Sequence, residues 1–276
     1  MEFRTRSVRV PSLGFEFEII DGDTIIGPSI EKGAWEPHET ALFQAHLERG
    51  ARVLDLGANI GWFAVQAILA GAEVHAFEPV PAIAAIAERN ISNANRRGPG
   101  IGKLYPFAAG AQKGRASIAL ARGNHGDNRV VDGAVPSDMQ GAETVAIAIE
   151  RVDDHLSGPF RVIKIDTQGS EWLALQGAQK LVEASTQCAL LMEFWPYALR
   201  GCKPEELLGW LDRLGYTLGK ATAAPFPMRP ERILKQALAR DPVKGGLDLY
   251  GTRGVPFHVL GLKTRLHGMW RSNREA

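Results

Sequence analysis

The feature that most constrains the fold is a repeated alternation of short apolar runs with helix-like segments. The runs resemble strands that are buried on both faces, and each is followed by a turn and a segment of helical period. They are residues 52–56, 73–77, 103–107, 161–166 and 189–193. Repeated strand–helix units predict a doubly wound, mostly parallel α/β sheet of the Rossmann-like kind.

Two further segments flank this predicted core, which we place at residues 51–220. Residues 1–50 begin with alternating apolar and polar residues, which predict a β-hairpin with its turn at residues 21–23, and a helix then starts at Pro37. Residues 221–276 are predicted to be a basic extension that closes the sheet with a strand at residues 257–260.

An insertion at residues 115–150 separates the third and fourth core strands. It contains two strand-like runs joined by a long polar stretch over residues 122–143. Loops of this length inside a compact domain are often binding loops or lids, so we expect it to cover a site. His125 lies in this stretch and is a candidate base, because an unperturbed imidazole titrates close to neutral pH.

The composition excludes several classes of protein. With 45% hydrophobic and 23% charged residues, the chain is typical of a globular domain rather than a disordered or collagen-like one. No apolar run is long enough to span a membrane, and the first residues lack the apolar stretch of a signal peptide, so the expected location is the cytoplasm. Two cysteines and seven scattered histidines show no spacing typical of a zinc site.

The charge is unevenly distributed. Residues 221–276 carry 10 Lys and Arg against 4 Asp and Glu, whereas the preceding residues carry 22 against 27. A basic segment can attract nucleic acid, and this alternative stays open. A solvated surface is the simpler interpretation, because the aromatic residues that stack on bases are not interleaved with the basic ones. Nucleic acid is therefore not the favoured partner, and the sequence leaves the oligomeric state undefined.

A glycine-containing turn after the first core strand carries the first functional signal. Asp55 precedes Gly57 and Gly61, and residues without a Cβ let a ligand approach the backbone closely. The spacing does not match the dinucleotide fingerprint, and a carboxylate beside a pyrophosphate is costly. This disfavours a dinucleotide-dependent oxidoreductase. A ligand that carries an ammonium and a sulfonium group suits Asp55 better.

The second signal is Glu78, which ends the next strand. A carboxylate at this position of a βαβ unit accepts hydrogen bonds from ribose hydroxyls. Together, Asp55 and Glu78 indicate S-adenosylmethionine. The structural alternative is that Asp55 only fixes the turn and that Glu78 is an ordinary charge at a strand end.

Six motifs resemble those of the FkbM-type S-adenosylmethionine-dependent methyltransferases. They are WEPHE at 35–39, VLDLGANIG at 53–61, FEP at 77–79, AAGAQKG at 108–114, IKIDTQGSE at 163–171 and LQGA at 175–178. The resemblance covers about residues 35–218. It implies a class I methyltransferase fold and methylation of a hydroxyl, or less often of an amide or amine, on a sugar, polyketide, peptide or similar metabolite. Where the family usually has glutamate, this chain has Gln168.

The resemblance also implies where the cofactor is held, in four groups of residues. These are Asp55, Gly57, Asn59 and Gly61 at its amino-acid end, Glu78 and Pro79 at its ribose, Ala108 and Ala109 at its adenine, and Trp35 and Glu36 as a cover from the N-terminal side.

Asp166 and Glu193 are the candidate catalytic carboxylates. Both end core strands, and ligands of open α/β sheets bind at the carboxyl ends of the strands. They can act as a general base and a substrate clamp, or together hold a divalent cation that acidifies a hydroxyl. The metal-free version is favoured, because Gln168 replaces a possible carboxylate ligand. The structural alternative is that Asp166 caps the next helix and Glu193 neutralises Lys164 or another cation.

Overall fold

A computed structural model describes residues 3–33, 35–131, 135–243 and 245–258 of the chain. The strands are β1 (Thr5–Val10), β2 (Phe15–Ile20), β3 (Arg52–Leu56), β4 (Glu73–Phe77), β5 (Ile101–Tyr105), β6 (Ala108–Ala109), β7 (Gly114–Ala119), β8 (Arg129–Val131), β9 (Thr144–Glu150), β10 (Val162–Ile165), β11 (Cys188–Phe194), β12 (Thr217–Lys220) and β13 (Leu247–Arg253). The α-helices are α1 (Ile26–Glu31), α2 (Pro37–Ala45), α3 (Trp62–Leu69), α4 (Pro81–Arg97), α5 (Glu171–Gly177), α6 (Gln179–Ala184), α7 (Pro204–Arg213) and α8 (Pro230–Leu238).

Seven strands form the central sheet, in the order β12-β13-β11-β10-β3-β4-β5. The five strands from β11 to β5 are parallel, and β13 is antiparallel to both of its neighbours. Helices cover both faces, with α2, α3 and α4 packed on one and α5 to α8 on the other. The predicted doubly wound sheet is confirmed, and its continuous apolar strands reflect burial on both faces.

The N-terminal hairpin is confirmed, but its turn is not where the sequence pattern placed it. β1 pairs with β2 with Thr5 opposite Ile20, so the chain turns at residues 11–14. The predicted turn at residues 21–23 instead leads into α1. There, Asp23 Oδ1 accepts hydrogen bonds from the backbone N–H groups of Ile26 at 2.6 Å and Gly27 at 3.1 Å. An aspartate that satisfies these free N–H groups favours a helix start over a strand.

The strand that the C-terminal segment adds to the sheet was also misplaced. It is β13, which lies between β12 and β11, and its register sets Asp248 opposite Glu193 of β11. Of the predicted strand at 257–260, Phe257 and His258 are not in a strand, and residues 259–260 lie outside the described residues. Phe257 packs on the Tyr250 ring at 4.6 Å between centroids, so this segment contacts β13 through side chains.

Together with β6, which precedes it, the insertion forms a second sheet in the order β6-β9-β7-β8, and it contacts the N-terminal segment. The Thr24 hydroxyl donates a hydrogen bond to the Gly123 carbonyl at 2.7 Å. The backbone N–H of His125 donates to Asp23 Oδ2 at 3.1 Å. The first part of the predicted lid is thereby attached to α1, while its opening and closing stay a prediction. In the described part of the chain, no helix is long and apolar enough to cross a membrane.

Asn90 of α4 joins the hairpin to the turn after β3. Its Oδ1 accepts a hydrogen bond from the Glu18 N–H at 2.8 Å, and its Nδ2 donates to the carbonyls of Glu18 and Ile60, each at 2.9 Å. Asn90 is buried, and without it the Ile60 carbonyl and the partly buried backbone groups of Glu18 would lose these partners. This side chain therefore fixes the hairpin relative to the glycine-containing turn.

We predict that Asn90→Ala lowers the free energy of unfolding by about 2 to 4 kcal/mol, because several buried polar groups lose their partners. Denaturant unfolding measures this change. Asn93→Ala on the same helix is the control, since the Asn93 amide reaches the Glu16 carbonyl only at 3.5 Å. Equal, small losses in both variants would contradict the assigned role of Asn90.

Candidate active site

A cavity of about 630 Å³ lies at the carboxyl ends of β3, β4, β10 and β11. Its volume falls in the range of small-molecule sites. Most of the predicted site residues line it, namely Glu36, Gly57, Asn59, Glu78, Pro79, Ala108, Ala109, His125, Asp166 and Glu193. Asp55 and Gly61 are not among its lining residues. The sheet topology thus brings together residues that are far apart in the sequence.

The turn after β3 requires glycine at position 57. The φ angle of Gly57 is 89°, and a Cβ there would lie 1.8 Å from the carbonyl oxygen of Asp166 on the neighbouring strand end. The backbone N–H groups of Gly57 and Ala58 donate to the Phe77 carbonyl at 3.0 and 2.9 Å. The turn therefore packs closely against the ends of β10 and β4, and its other side lines the cavity.

Asn59 connects the turn to two other walls of the cavity. Its φ angle is 50°, in the left-handed region, and its backbone N–H donates to Glu78 Oε2 at 3.0 Å. Its side-chain Nδ2 donates to the His125 carbonyl at 2.8 Å. Asn59 consequently couples the turn, the end of β4 and the insertion.

Glu78 is a buried carboxylate that faces the cavity. Besides the bond from Asn59, its Oε1 accepts one from the Val80 N–H at 2.9 Å. Burial raises the pKa of Glu78 to about 7, and these two N–H donors oppose the rise. Each oxygen keeps a lone pair for a further donor, as recognition of two neighbouring hydroxyls requires.

Asp55 lies behind the turn, where its side chain is 1% exposed. Neither of its carboxylate oxygens has a hydrogen-bond partner among the described residues. Burial raises the pKa of Asp55 to about 7, and the Lys164 ammonium opposes this rise. Asp55 therefore lies behind the residues that line the cavity, and its contact with the amino-acid end of a cofactor stays a prediction.

Lys164 is a site residue whose role the sequence did not reveal. It is fully buried in β10, beside Asp55 in the strand register. Its Nζ lies 2.9 Å from Glu39, 3.5 Å from Asp166 and 3.7 Å from Glu36. Burial lowers the pKa of Lys164, but the surrounding carboxylates outweigh this effect and hold the pKa above its usual value. The sequence signal for this role was the presence of one lysine in the otherwise apolar strand β10, where a charge must have buried partners.

Gln168 connects the two candidate catalytic carboxylates. Its Nε2 donates to Asp166 Oδ1 at 2.7 Å and to Glu193 Oε2 at 2.9 Å. Burial raises the pKa of Glu193 well above its usual range, and Asp166 and Glu171 add to the rise. The two carboxylates therefore do converge, as the sequence predicted.

The structural alternatives for these two carboxylates are not what the geometry shows. The backbone N–H groups of Thr167 and Gly169, just before α5, donate to Glu171 at 3.1 and 3.0 Å, so Asp166 is not the cap of this helix. Lys164 makes its ion pairs with Glu39, Asp166 and Glu36 instead of Glu193.

His125 faces the cavity from the insertion. Its ring is half-buried and packs against the Phe3 ring at 4.6 Å between centroids. Burial lowers the pKa of His125, against the influence of Asp23, which favours the neutral form of the imidazole. A neutral imidazole in this place is able to accept a proton.

The other end of the cavity is apolar. Ala108 and Ala109 line it together with Phe77 and Phe107, whose rings pack at 5.4 Å between centroids. A flat aromatic ligand fits such a wall through its faces and edges. Phe107 lies two residues beyond the end of β5, at the end of the apolar run 103–107, and this place at the carboxyl edge of the sheet was the available sequence signal.

A metal centre is not supported. Among the residues that the structure describes, no group of three His, Cys, Asp or Glu side chains has an arrangement that could hold a metal ion. Asp166 and Glu193 both accept hydrogen bonds from the side-chain NH₂ group of Gln168. This group is a hydrogen-bond donor and cannot bind a metal ion. The divalent cation considered for this pair therefore has no supporting feature here.

Two solved structures of methyltransferases are similar to this chain. Among solved structures, the chain is similar to methyltransferase FkbM from Methylobacillus flagellatus KT, with 18% identity over 73% of this chain and 43% of that chain and a TM-score of 0.43. It is also similar to magnesium protoporphyrin IX methyltransferase from Synechocystis PCC 6803, with 13% identity over 83% and 84% of the two chains and a TM-score of 0.46. The chain thus spans less than half the length of the Methylobacillus protein. No curated protein matches it.

A protein-family model gives the decisive comparison. The model described as the methyltransferase FkbM domain matches residues 55–218, which is more than half of the 276 residues. The matched segment runs from Asp55 to Leu218 and contains Glu78, Asp166 and Glu193. The resemblance inferred from the sequence motifs is confirmed, and the chain belongs to the FkbM family of methyltransferases.

Proposed function

We propose that this protein transfers a methyl group from S-adenosylmethionine to a hydroxyl group of a sugar, polyketide, peptide or similar metabolite. The observation that carries the proposal is that one cavity has two chemically different ends. Glu78 presents free carboxylate lone pairs beside an apolar wall at one end, and Asp166 and Glu193 converge on Gln168 at the other.

The residues present fit S-adenosylmethionine. Glu78 would accept hydrogen bonds from the ribose hydroxyls, and Ala108 with Phe107 would contact the adenine. One buried polar atom at the cavity, Ser170 Oγ, has no hydrogen-bond partner within the described ranges, and Glu36 Oε2 has only the Lys164 ammonium at 3.7 Å. The amino-acid end of the cofactor carries donors and acceptors that would satisfy such atoms.

The strand order supports one direction for the bound cofactor. Glu78 follows β4, while Asp166 and Glu193 follow or end β10 and β11, two and three positions away across the sheet. Neighbouring strands are about 4.8 Å apart, so the two ends are separated by roughly 10 to 14 Å. This separation suits a nucleoside with its sulfonium end directed toward Asp166.

The chemistry assigned to the protein is alignment and proton removal. When bound, S-adenosylmethionine supplies a methyl carbon that its sulfonium group already activates. Asp166 would take the proton of the acceptor hydroxyl during methyl transfer, and the thioether S-adenosylhomocysteine would be the leaving group. Glu193 holds the acceptor through a second hydrogen bond.

A hydroxyl acceptor is favoured over an amine because of these carboxylates. An alcohol needs a base to remove its proton during methyl transfer, whereas a neutral amine attacks with its own lone pair. Two carboxylates at the transfer end supply that base. Methylation of an amide or amine is the alternative outcome of the experiment below.

The ribose assignment predicts the behaviour of Glu78→Gln. We expect it to weaken binding of 5′-methylthioadenosine by about 1.5 to 3 kcal/mol, because a hydrogen bond to a charged group is lost. Calorimetry with this nucleoside and its 2′-deoxy analogue isolates the ribose contact. The wild-type protein should discriminate between the two ligands and Glu78→Gln should not.

Glu73→Gln is the control for this experiment, since Glu73 begins β4 and pairs with His75 at the other end of the strand. Undiminished discrimination in Glu78→Gln would place the ribose elsewhere. Binding of NAD in preference to methylthioadenosine would reject the proposed cofactor.

The base assignment predicts a selective loss of turnover in Asp166→Asn. We expect a decrease of about 100- to 10,000-fold with little change in cofactor affinity, because proton removal matters in the transition state. The assay incubates the protein with trideuteromethyl-labelled cofactor and a metabolite extract of the organism that encodes it. Mass spectrometry then follows labelled products and shows whether the label is on oxygen or nitrogen.

Asp212→Asn on the exposed side of α7 is the matched control and should retain activity. Near-normal labelling by both Asp166→Asn and Glu193→Gln would remove these carboxylates from the chemistry and direct attention to His125.

A further inference from the structure

Gln168 occupies a backbone position that its neighbours hold in place. Its φ angle is 51°, in the left-handed region that non-glycine residues rarely adopt. The N–H groups of Thr167 and Gly169 on either side donate to Glu171, which is fully buried, at 3.1 and 3.0 Å. The Gly169 carbonyl accepts a hydrogen bond from the Arg200 N–H at 2.9 Å. Such a strained residue persists where the surroundings fix it, and strain of this kind clusters at functional sites.

The side chain of Gln168 lies between the carboxylates of Asp166 and Glu193. Asp166 has the Lys164 ammonium 3.5 Å from its Oδ2, while its Oδ1 faces the Gln168 amide. Glu193 makes no ion pair in the described part of the chain, and Asp248 is its cross-strand neighbour. Two carboxylates that share a site repel each other unless a cation, a proton or a strong donor lies between them.

We propose that the side-chain amide of Gln168 is a positioning residue that holds Asp166 and Glu193 together in the place that a cation would otherwise take. The inference rests on the proposed function only for the role of Asp166 and Glu193 toward an acceptor. The hydrogen bonds from Gln168 to these two carboxylates do not depend on any ligand. With Gln168 between them, the two carboxylates form an arrangement without a metal ion.

The geometry of an amide suits this task. Its NH₂ group carries two hydrogens that point in different directions, and here each one reaches a different carboxylate. Each carboxylate therefore gains one donor from the amide, and Asp166 also has the Lys164 ammonium 3.5 Å from its Oδ2.

Gln168→Glu tests whether the two carboxylates truly converge on this point. It replaces the donor by a third carboxylate, and three converging carboxylates are a ligand set for calcium. We expect it to bind one Ca²⁺ per chain with a dissociation constant of about 0.1 to 1 mM, and to regain in Ca²⁺ the thermal stability that it loses in chelator. Calorimetry and Tb³⁺ luminescence, excited through the nearby Trp195, measure the binding.

Gln187→Glu is the matched control, because it adds the same charge at an exposed position. We expect no saturable Ca²⁺ binding to it or to the wild-type protein. Introducing Glu193→Gln into the Gln168→Glu protein should abolish the binding. A folded Gln168→Glu protein that binds no Ca²⁺, and that is as stable in chelator as the wild type, would overturn the proposal.

Gln168→Met provides the second test and adds no charge. The amide bonds are strongest to ionised carboxylates, so the loss of melting temperature relative to wild type should be larger at about pH 8.5 than at about pH 4.5, by about 3 °C or more. An equal loss at both pH values would indicate a packing role alone and would overturn the proposal. Neither test uses the cofactor, so both test the role of Gln168 even if the proposed function is wrong.

Discussion

The buried ammonium group of Lys164 is the interaction on which the rest of the site depends. A lysine that is 2% exposed is stable in the protein only because carboxylates surround it, and three of them lie within 3.7 Å of its Nζ. Glu36 and Glu39 come from the N-terminal segment, whereas Asp166 follows β10. Lys164 therefore ties the N-terminal cover to the core sheet and also orients the proposed base.

One ammonium does not balance the acids at this edge of the sheet. Asp55, Glu78 and Glu193 are buried there as well, and burial raises the pKa of each of them. A ligand with a net positive charge would relieve this imbalance by favouring their ionised forms. This excess of buried carboxylates supports the proposal of a cationic cofactor, and Gln168 bridges Asp166 and Glu193 at the end toward which its sulfonium group would point.

The sequence was sufficient for the order of the core and for most of the site, because both depend on local patterns. Apolar runs, glycine turns and acids at strand ends predicted which residues would meet at the carboxyl edge. It was insufficient where a distant contact decides the outcome. Asp23 was read as part of a hairpin turn, yet it caps a helix and holds the insertion. The pairing of β3 with β10 places Asp55 beside Lys164, a neighbour that the sequence pattern did not indicate, and its contact with the cofactor stays a prediction.

The central claim is that excess buried carboxylates recognise the sulfonium charge of the cofactor, and calorimetry across pH tests it most directly. A ligand cation lowers the pKa values of Glu78 and Asp55 from about 7, so its binding releases protons and its affinity rises with pH. Between about pH 6 and pH 8, we predict that S-adenosylmethionine affinity rises by up to about tenfold per pH unit for each proton released, and clearly more than that of S-adenosylhomocysteine, which lacks the sulfonium charge. Identical pH dependence for the two ligands, or affinity for S-adenosylmethionine that falls as pH rises, would contradict the account.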